Sequence, residues 1–548
     1  MIDRKALLDD LKKLVTKLEK DLRERCDKNA EVDARVRIEY EKAKEAKRTS
    51  VAYKPTWRDE WITQVAVAWV LGAVFVRFIE DNELIVAPFI AGPGQRLDFA
   101  KEQRTAFFQR NPTQSDREYL QHVFREVAKL PAMKELYDER HNPLWSLGVS
   151  GDGAKLIREQ FQKTGPTGTL IHDFTDPAWG TRFLGDLYQD LSEAARKKYA
   201  LLQTPEFVEE FILDRTLDPA IADFGLDTVR LIDPTCGSGH FLLGAFARLF
   251  RRWEDREPAT NGTELVQRAL DAIHGVDLNP YATAVSRFRL LLAAMKASGV
   301  TRLADCPDFR MNLATGDSLL HGAAGSGGAT QRLFSFSPMA HVYETEDKQQ
   351  LESILQVGWY HAVVGNPPYI TVKDAALNQA YRDRFRSCHR KYSLAVPFFE
   401  RFFNLAKPNG GDAAGFVGLI TANSFMKREF GKKLIENCLP SWDLTHVIDT
   451  SGAYIPGHGT PTVILFGRNQ IPAATTIRTV MGIKGEPSMP SDPAKGAVWT
   501  AIRAQVDSPG SMSAYVSVAD SAREAFCRHP WSIGGGGAAE LKLQIDEA

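Results

Sequence analysis

Short apolar runs that end in glycine, proline or an acid recur through the middle of the chain. Their length and boundaries predict buried strands. Val229-Arg-Leu-Ile-Asp233 is the first, Ala272-Ile-His-Gly-Val-Asp277 the second, Phe309 to Ala314 the third and His361-Ala-Val-Val364 the fourth. The first run passes through Pro234-Thr-Cys-Gly-Ser-Gly239 into His240 to Phe250, which has helical composition with apolar residues throughout. Strand, glycine turn and helix in that order predict an α/β fold, a doubly wound and mostly parallel sheet.

The N-terminal third has a different period. Leu7, Leu11, Leu14 and Leu18 step by four and three residues, a narrow helical stripe. The stripe lasts about two heptads, which suits packing on the rest of the protein better than a coiled coil with a partner. From Trp57 to about Lys163 amphipathic helical stretches alternate with polar links, without a nuclease-like set of spaced acids and lysine. The run Val65 to Val76 is shorter than the about 20 residues of a membrane span and predicts a buried helix. This gives an α-helical N-terminal domain over 1–164, a Gly/Thr/Asp-rich link over 165–180, a catalytic domain over 180–470 and a connector over 471–548. A second glycine-rich loop, 322–328, falls between the third and fourth strands.

Composition bounds the setting. A chain of 548 residues exceeds what one core usually supports. The formal charge of −1 does not advertise nucleic acid, although local patches supply the binding field. The cysteines at 26, 236, 306, 388, 438 and 527 form no Cys-x-x-Cys pair, so no metal site is readable. Scattered thiols and an N-terminus that opens on charged helical sequence, without a secretory pattern, fit the cytoplasm and no membrane.

The chemistry concentrates at strand ends. Asn366-Pro367-Pro368-Tyr369 follows the fourth strand. An exocyclic amine on a nucleobase is a poor nucleophile, because its lone pair is delocalised into the ring. The Asn366 side-chain oxygen and the Pro367 carbonyl are acceptors that can hold the two amine hydrogens and aim the lone pair at an electrophile. Tyr369 can stack on the base, and two prolines stiffen the loop without adding competing donors. The bland alternative is a tight turn. Upstream, Gly237 and Gly239 let backbone approach a ligand, and the helix behind them offers N–H groups to a carboxylate. Asp277 suits a ribose diol, and Asp317, after Gly316, suits an adenine amino group. Each acid alone is more often a helix cap or a solvated residue; jointly they fit S-adenosylmethionine followed by a target amine. Gly-Ser-Gly is not the dinucleotide fingerprint, which argues against a nicotinamide enzyme. After the loop, Arg382, Arg384, Arg386, Arg390 and Lys391 crowd one window, and Lys427, Arg428, Lys432 and Lys433 form a second run. They are read either as phosphate contacts or as solvated helix faces. Tyr381, Phe385 and Tyr392 nearby suit either base stacking or core packing.

Asp233-Pro-Thr-Cys-Gly-Ser-Gly-His-Phe241, Gly-Val-Asp277-Leu-Asn-Pro280 and Asn-Pro-Pro-Tyr369 resemble the γ-class adenine-N6 DNA methyltransferases. Gln203-Thr-Pro-Glu-Phe-Val-Glu-Glu-Phe-Ile212 is similar to that family's first cofactor motif, and 415–425 and 460–466 to its later strands. The resemblance covers about 180–470 and implies S-adenosylmethionine held through Thr204, Pro205, Asp233, Pro234, Cys236, Gly237, Gly239, Asp277 and Asp317. It also implies double-stranded DNA as substrate, with adenine flipped into the site. Leu184-Gly-Asp-Leu-Tyr-Gln-Asp-Leu191 and 202–216 carry a narrower resemblance to the methyltransferases of phage growth limitation (BREX type 2) defence systems. That implies a role in phage defence, with other defence proteins as partners. Relatives carry a sizeable target-recognition domain after this point. The residues after Phe466 are too few for one, so a fragment, a split-gene half or borrowed DNA contacts are expected. Two rivals stay open: protein-glutamine or RNA-guanine methylation, which use a similar loop, and a catalytically silent cofactor-binding scaffold.

Overall fold

The computed structural model describes residues 2–45, 52–139, 142–191, 204–322, 348–372, 374–411 and 413–531. The chain forms two compact units, Met1–Leu201 with Ala259–Gln267 and Asn279–Arg310, and Leu202–Pro258 with Arg268–Leu278 and Met311–Ala548.

The first unit is helical among its described residues. Helix α1, Arg4–Lys28, starts where the Asp3 side chain accepts from the Lys5 and Ala6 amides, satisfying two otherwise open donors. Leu7, Leu11, Leu14 and Leu18 are all buried, with Leu22 and Cys26 continuing the stripe, so the leucines serve packing as the pattern predicts. Helix α2, Arg58–Asp81, contains the run 65–76. Its length and composition would suit a membrane span, but 89% of that apolar window is buried in the protein. Its charges are answered internally. Arg77 pairs with Asp81 at 2.6 Å, and Glu80 accepts from the Phe89, Ile90 and Ala91 amides. Removing either partner of such a buried pair leaves an uncompensated charge.

The second unit is built on one nine-stranded sheet. In chain order come α3 (Glu206–Asp214), β1 (Leu231–Asp233), α4 (His240–Arg256), β2 (Ile273–Asp277), β3 (Asn312–Thr315), β4 (Ala362–Gly365), α5 (Ala375–Arg384), α6 (Ala395–Leu405), β5 (Phe416–Ala422), β6 (Asp443–Asp449), β7 (Thr462–Arg468), β8 (Thr476–Gly482), α7 (Ala497–Gln505) and β9 (Val516–Ala522). The spatial order is β3-β2-β1-β4-β5-β7-β6-β8-β9. β1 to β5 are mutually parallel, while β7 runs antiparallel to both β5 and β6. This is the mostly parallel, doubly wound sheet the sequence predicts. Its first four strands lie where the apolar runs do, and they are buried almost throughout, as parallel strands are.

The segment expected to be a connector, 471–548, differs. β8 pairs in parallel with β6, β9 pairs antiparallel with β8, and Trp499 of α7 packs edge-on against Phe207 and Phe211 of α3. The prolines at 487, 490 and 493 interrupt the pattern between strands. The alternation of Val516 and Val518 with polar neighbours is nevertheless a half-buried strand. Residues 532–548, with the glycine run, lie outside the described residues.

Candidate active site

The strand order reverses between β1 and β4, and ligands of open α/β sheets bind beyond the strand ends at such a point. The loops after β1 and β4 are therefore neighbours there. β4 can pass β1's end because residue 365 is glycine: a Cβ on it would lie 2.7 Å from Asp233 Oδ1 and 2.8 Å from Thr235 Oγ1. Asp233 Oδ1 accepts from the Thr235 amide at 2.9 Å and its hydroxyl at 3.1 Å, closing the turn. Gly237 and Gly239 have φ of 53° and 84°, left-handed values that favour glycine. A Cβ built on Gly237 meets nothing within 4 Å, so open space lies over the turn. Asp277 Oδ2 accepts from the Gly237 amide at 2.9 Å, which couples the second strand end to the first. The buried Cys236 donates its amide to the Val276 carbonyl. Ser318 donates to the Pro234 carbonyl at 2.7 Å, drawing the loop after β3 into the same group. Three adjacent strand ends thus present a carboxylate, glycine backbone and open space, a donor and acceptor set that fits the cofactor implied by the motifs.

The Asn366 loop is equally fixed. Asn366 donates its amide to Thr204 Oγ1 at 3.3 Å and accepts from the Tyr369 hydroxyl at 2.6 Å. The two bonds hold the carboxamide between two hydroxyls, with Oδ1 turned toward Tyr369. Pro367 is buried, Pro368 and Tyr369 are half-buried, and the Leu394 amide anchors the loop by donating to the Ile370 carbonyl at 2.8 Å. Burial holds the Tyr369 phenol well above its ordinary pKa, so it stays a donor. Thr204 is itself buried, next to Pro205, which opens α3; Gln203 before it lies outside the described residues. An incoming amine would share Asn366 Oδ1 with, or displace, the Tyr369 hydroxyl. Tyr369→Phe keeps the stacking face and removes that competitor, so turnover should stay within about fivefold of wild type, the size of one neutral hydrogen bond. A hundredfold loss in single-turnover rate would show that the hydroxyl, and not the ring alone, is needed.

Asp317 lies just past β3 and is buried. Its Oδ1 accepts from the Leu319 and Leu320 amides, and its Oδ2 accepts from the Tyr381 hydroxyl at 2.5 Å. A carboxylate oxygen has capacity for a second hydrogen bond.

The basic run after the loop divides. Arg386, Arg390 and Lys391 are exposed, and Arg382 is half-buried, its guanidinium over the Tyr392 ring at 5.0 Å. Arg384 turns inward and donates to the Gly322 carbonyl at 2.6 Å, and burial lowers its pKa. It lies three residues from Tyr381 and seven from Leu377, on the buried stripe of α5, a spacing that could have revealed it. Tyr381, Phe385 and Tyr392 are all core residues, which corrects the reading of any of them as a base-stacking platform. Lys427, Arg428, Lys432 and Lys433 are exposed. Burial and then the charges of Lys433 and Arg390 depress the His389 pKa, so the two basic runs approach one another.

Asp233 carries a pH signature. Burial raises its pKa to about 7, opposed by the two Thr235 bonds and reinforced by Asp277. A carboxyl raised in the fold binds more protons folded than unfolded, so its contribution to stability falls as pH rises from about 4 through about 7. Asp233→Asn keeps the acceptor for Thr235 and cannot ionise. Between pH 5 and pH 8 it should gain on wild type by at least about 1 kcal/mol in denaturant unfolding. A constant difference across that range would contradict the buried, protonated Asp233.

Sheet order and strand-end loops together define a methyltransferase-type α/β domain. Residues 271–455 match the model of the Eco57I restriction-modification methylase family. Across its whole length the chain is 50% identical to the adenine-specific methyltransferase PglX of Streptomyces coelicolor, of which it spans 47%. It is 27% identical to the type II methyltransferase M.PaeR7I of Pseudomonas aeruginosa, over 52% of this chain and 45% of that protein. The resemblance drawn from the motifs therefore holds, and the chain spans about half the length of the curated relatives it matches. Among solved structures, a DrdV–DNA complex is similar with a TM-score of 0.48 at 15% identity, covering 87% of this chain and 42% of that one.

Proposed function

We propose that this chain carries the catalytic part of an S-adenosylmethionine-dependent DNA adenine-N6 methyltransferase. The observation that carries the reading is Asn366, its carboxamide oriented by Thr204 and Tyr369, on the loop beside the β1 glycine turn. The cofactor would be held by Asp233, Pro234, Cys236, Gly237 and Gly239 after β1, by Asp277 and Asp317 after β2 and β3, and by Thr204 and Pro205 ahead of α3. When bound, it supplies an electrophilic methyl group. Asn366 Oδ1 and the Pro367 carbonyl accept the amine hydrogens, Pro368 stiffens the loop, and Tyr369 stacks on the flipped base. Orientation does most of the work, because transfer to a sulfonium methyl needs alignment more than a strong base. Flipping costs a few kcal/mol, offset by stacking and pocket hydrogen bonds.

Double-stranded DNA is the proposed partner, with exposed Arg386, Arg390 and Lys391 and half-buried Arg382 contacting phosphates; Arg384 is left out of that set. The similarity to PglX supports a role in a BREX-type phage defence system, together with other defence proteins, in the cytoplasm. An assay with tritiated S-adenosylmethionine against DNA, RNA and a release-factor protein tests the reading: label is expected in DNA. Label confined to RNA or protein would overturn it.

A further inference from the structure

The loop after β3 is gripped from the side of the target-base loop. Tyr381 and Arg384 lie on α5, the first helix after Asn366-Pro-Pro-Tyr369, and Arg401 lies on α6. Tyr381 donates to Asp317 Oδ2 at 2.5 Å, Arg384 to the Gly322 carbonyl at 2.6 Å and Arg401 to the His321 carbonyl at 2.9 Å. Tyr381 and Arg401 are 2% and 0% exposed, so these bonds form in a desolvated place where their geometry is fixed.

We infer that Tyr381 is a positioning residue for recognition of the cofactor's adenine, acting through Asp317. The inference rests on the reading of Asp317 as acceptor for the adenine amino group. The two amides of Leu319 and Leu320 hold Oδ1 and leave rotation about that oxygen to be fixed at Oδ2. Tyr381 fixes it, and with it the direction in which the remaining acceptor capacity of Oδ2 points. The Tyr381 ring belongs to the core, and a ring needed only for packing would bury its hydroxyl at a cost without this acceptor. The hydroxyl is therefore separable from the ring. Because α5 follows the target loop directly, the same helix that begins beyond Tyr369 sets how the cofactor's base is read.

The test is calorimetric and uses the whole chain, with S-adenosylhomocysteine and its purine-riboside counterpart, which lacks the 6-amino group. Tyr381→Phe keeps the ring, and its unfolding transition is measured alongside. It should weaken S-adenosylhomocysteine by about tenfold, the size of a hydrogen bond to a charged group, and leave the counterpart within about twofold. Asp317→Asn should abolish the difference between the two ligands. If Tyr381→Phe weakens both ligands equally, or neither, while Asp317→Asn abolishes discrimination, the inference fails and the reading of Asp317 stands. If Asp317→Asn still discriminates, that reading fails and the inference with it. Should Asp317→Asn not fold, the deamino ligand remains the internal control for Tyr381→Phe, and equal effects on both ligands overturn the inference.

Discussion

Asn366→Ala should lower single-turnover methyl transfer by at least about two orders of magnitude, the usual cost of losing a contact made in the transition state. In the proposed reading the residue would offer the acceptor for one amine hydrogen, and its carboxamide is held on both sides, by Thr204 at 3.3 Å and Tyr369 at 2.6 Å. Alanine removes the acceptor and frees the Tyr369 hydroxyl. The residues proposed to hold the cofactor lie on other loops, and Thr204, which touches Asn366, keeps its hydroxyl, so affinity for S-adenosylhomocysteine should barely change. Stability should also be little altered, because Asn366 is only half-buried. A folded variant that loses cofactor binding would show that residue 366 belongs to the cofactor site and not to the amine.

The reverse pattern is expected of Asp277→Ala. Its carboxylate ends β2, next to the β1 turn, where a ribose diol would donate to it. A charge-assisted hydrogen bond is worth about 1.5–3 kcal/mol, so affinity for S-adenosylhomocysteine should fall roughly ten- to a hundredfold. A second effect acts in the same direction. The Gly237 amide loses its acceptor at 2.9 Å, and the left-handed glycine turn is less well held. Unchanged affinity in calorimetry would mean that Asp277 serves only as the clasp of the glycine turn.

Much of this arrangement was legible in the sequence because it is local. Strands β1 to β4 are short apolar runs, and each ends at a residue with strong local preferences: Asp233-Pro, Asp277, Gly316-Asp317 and Gly365-Asn366. Glycine turns and strand ends are read from neighbours in sequence, so the order of the site emerged without long-range information. The leucine stripe of α1 was readable for the same reason, since helical period maps directly onto burial. Contacts across long separations were not readable. Nothing near Asp317 in sequence announces that Tyr381 will donate to it, nor that Arg401 will hold the His321 carbonyl. Composition also misled where charge was counted without period. The window from Arg382 to Lys391 looks uniformly solvated, yet Arg384 shares the inner face of α5 with Leu377 and Tyr381. Strands β8 and β9 are hard to read from the sequence because the prolines at 487, 490 and 493 break up the stretch between them, and only β9 shows a clear start of alternating burial.

The most direct test of the central claim is the methylation state of host DNA, compared between cells with the intact gene and cells carrying Asn366→Ala. N6-methyladenine at a defined motif is expected with the intact gene and should disappear in the variant. An N6-methyladenine pattern identical in both would contradict the assignment of Asn366 and its loop to methylation of DNA adenine.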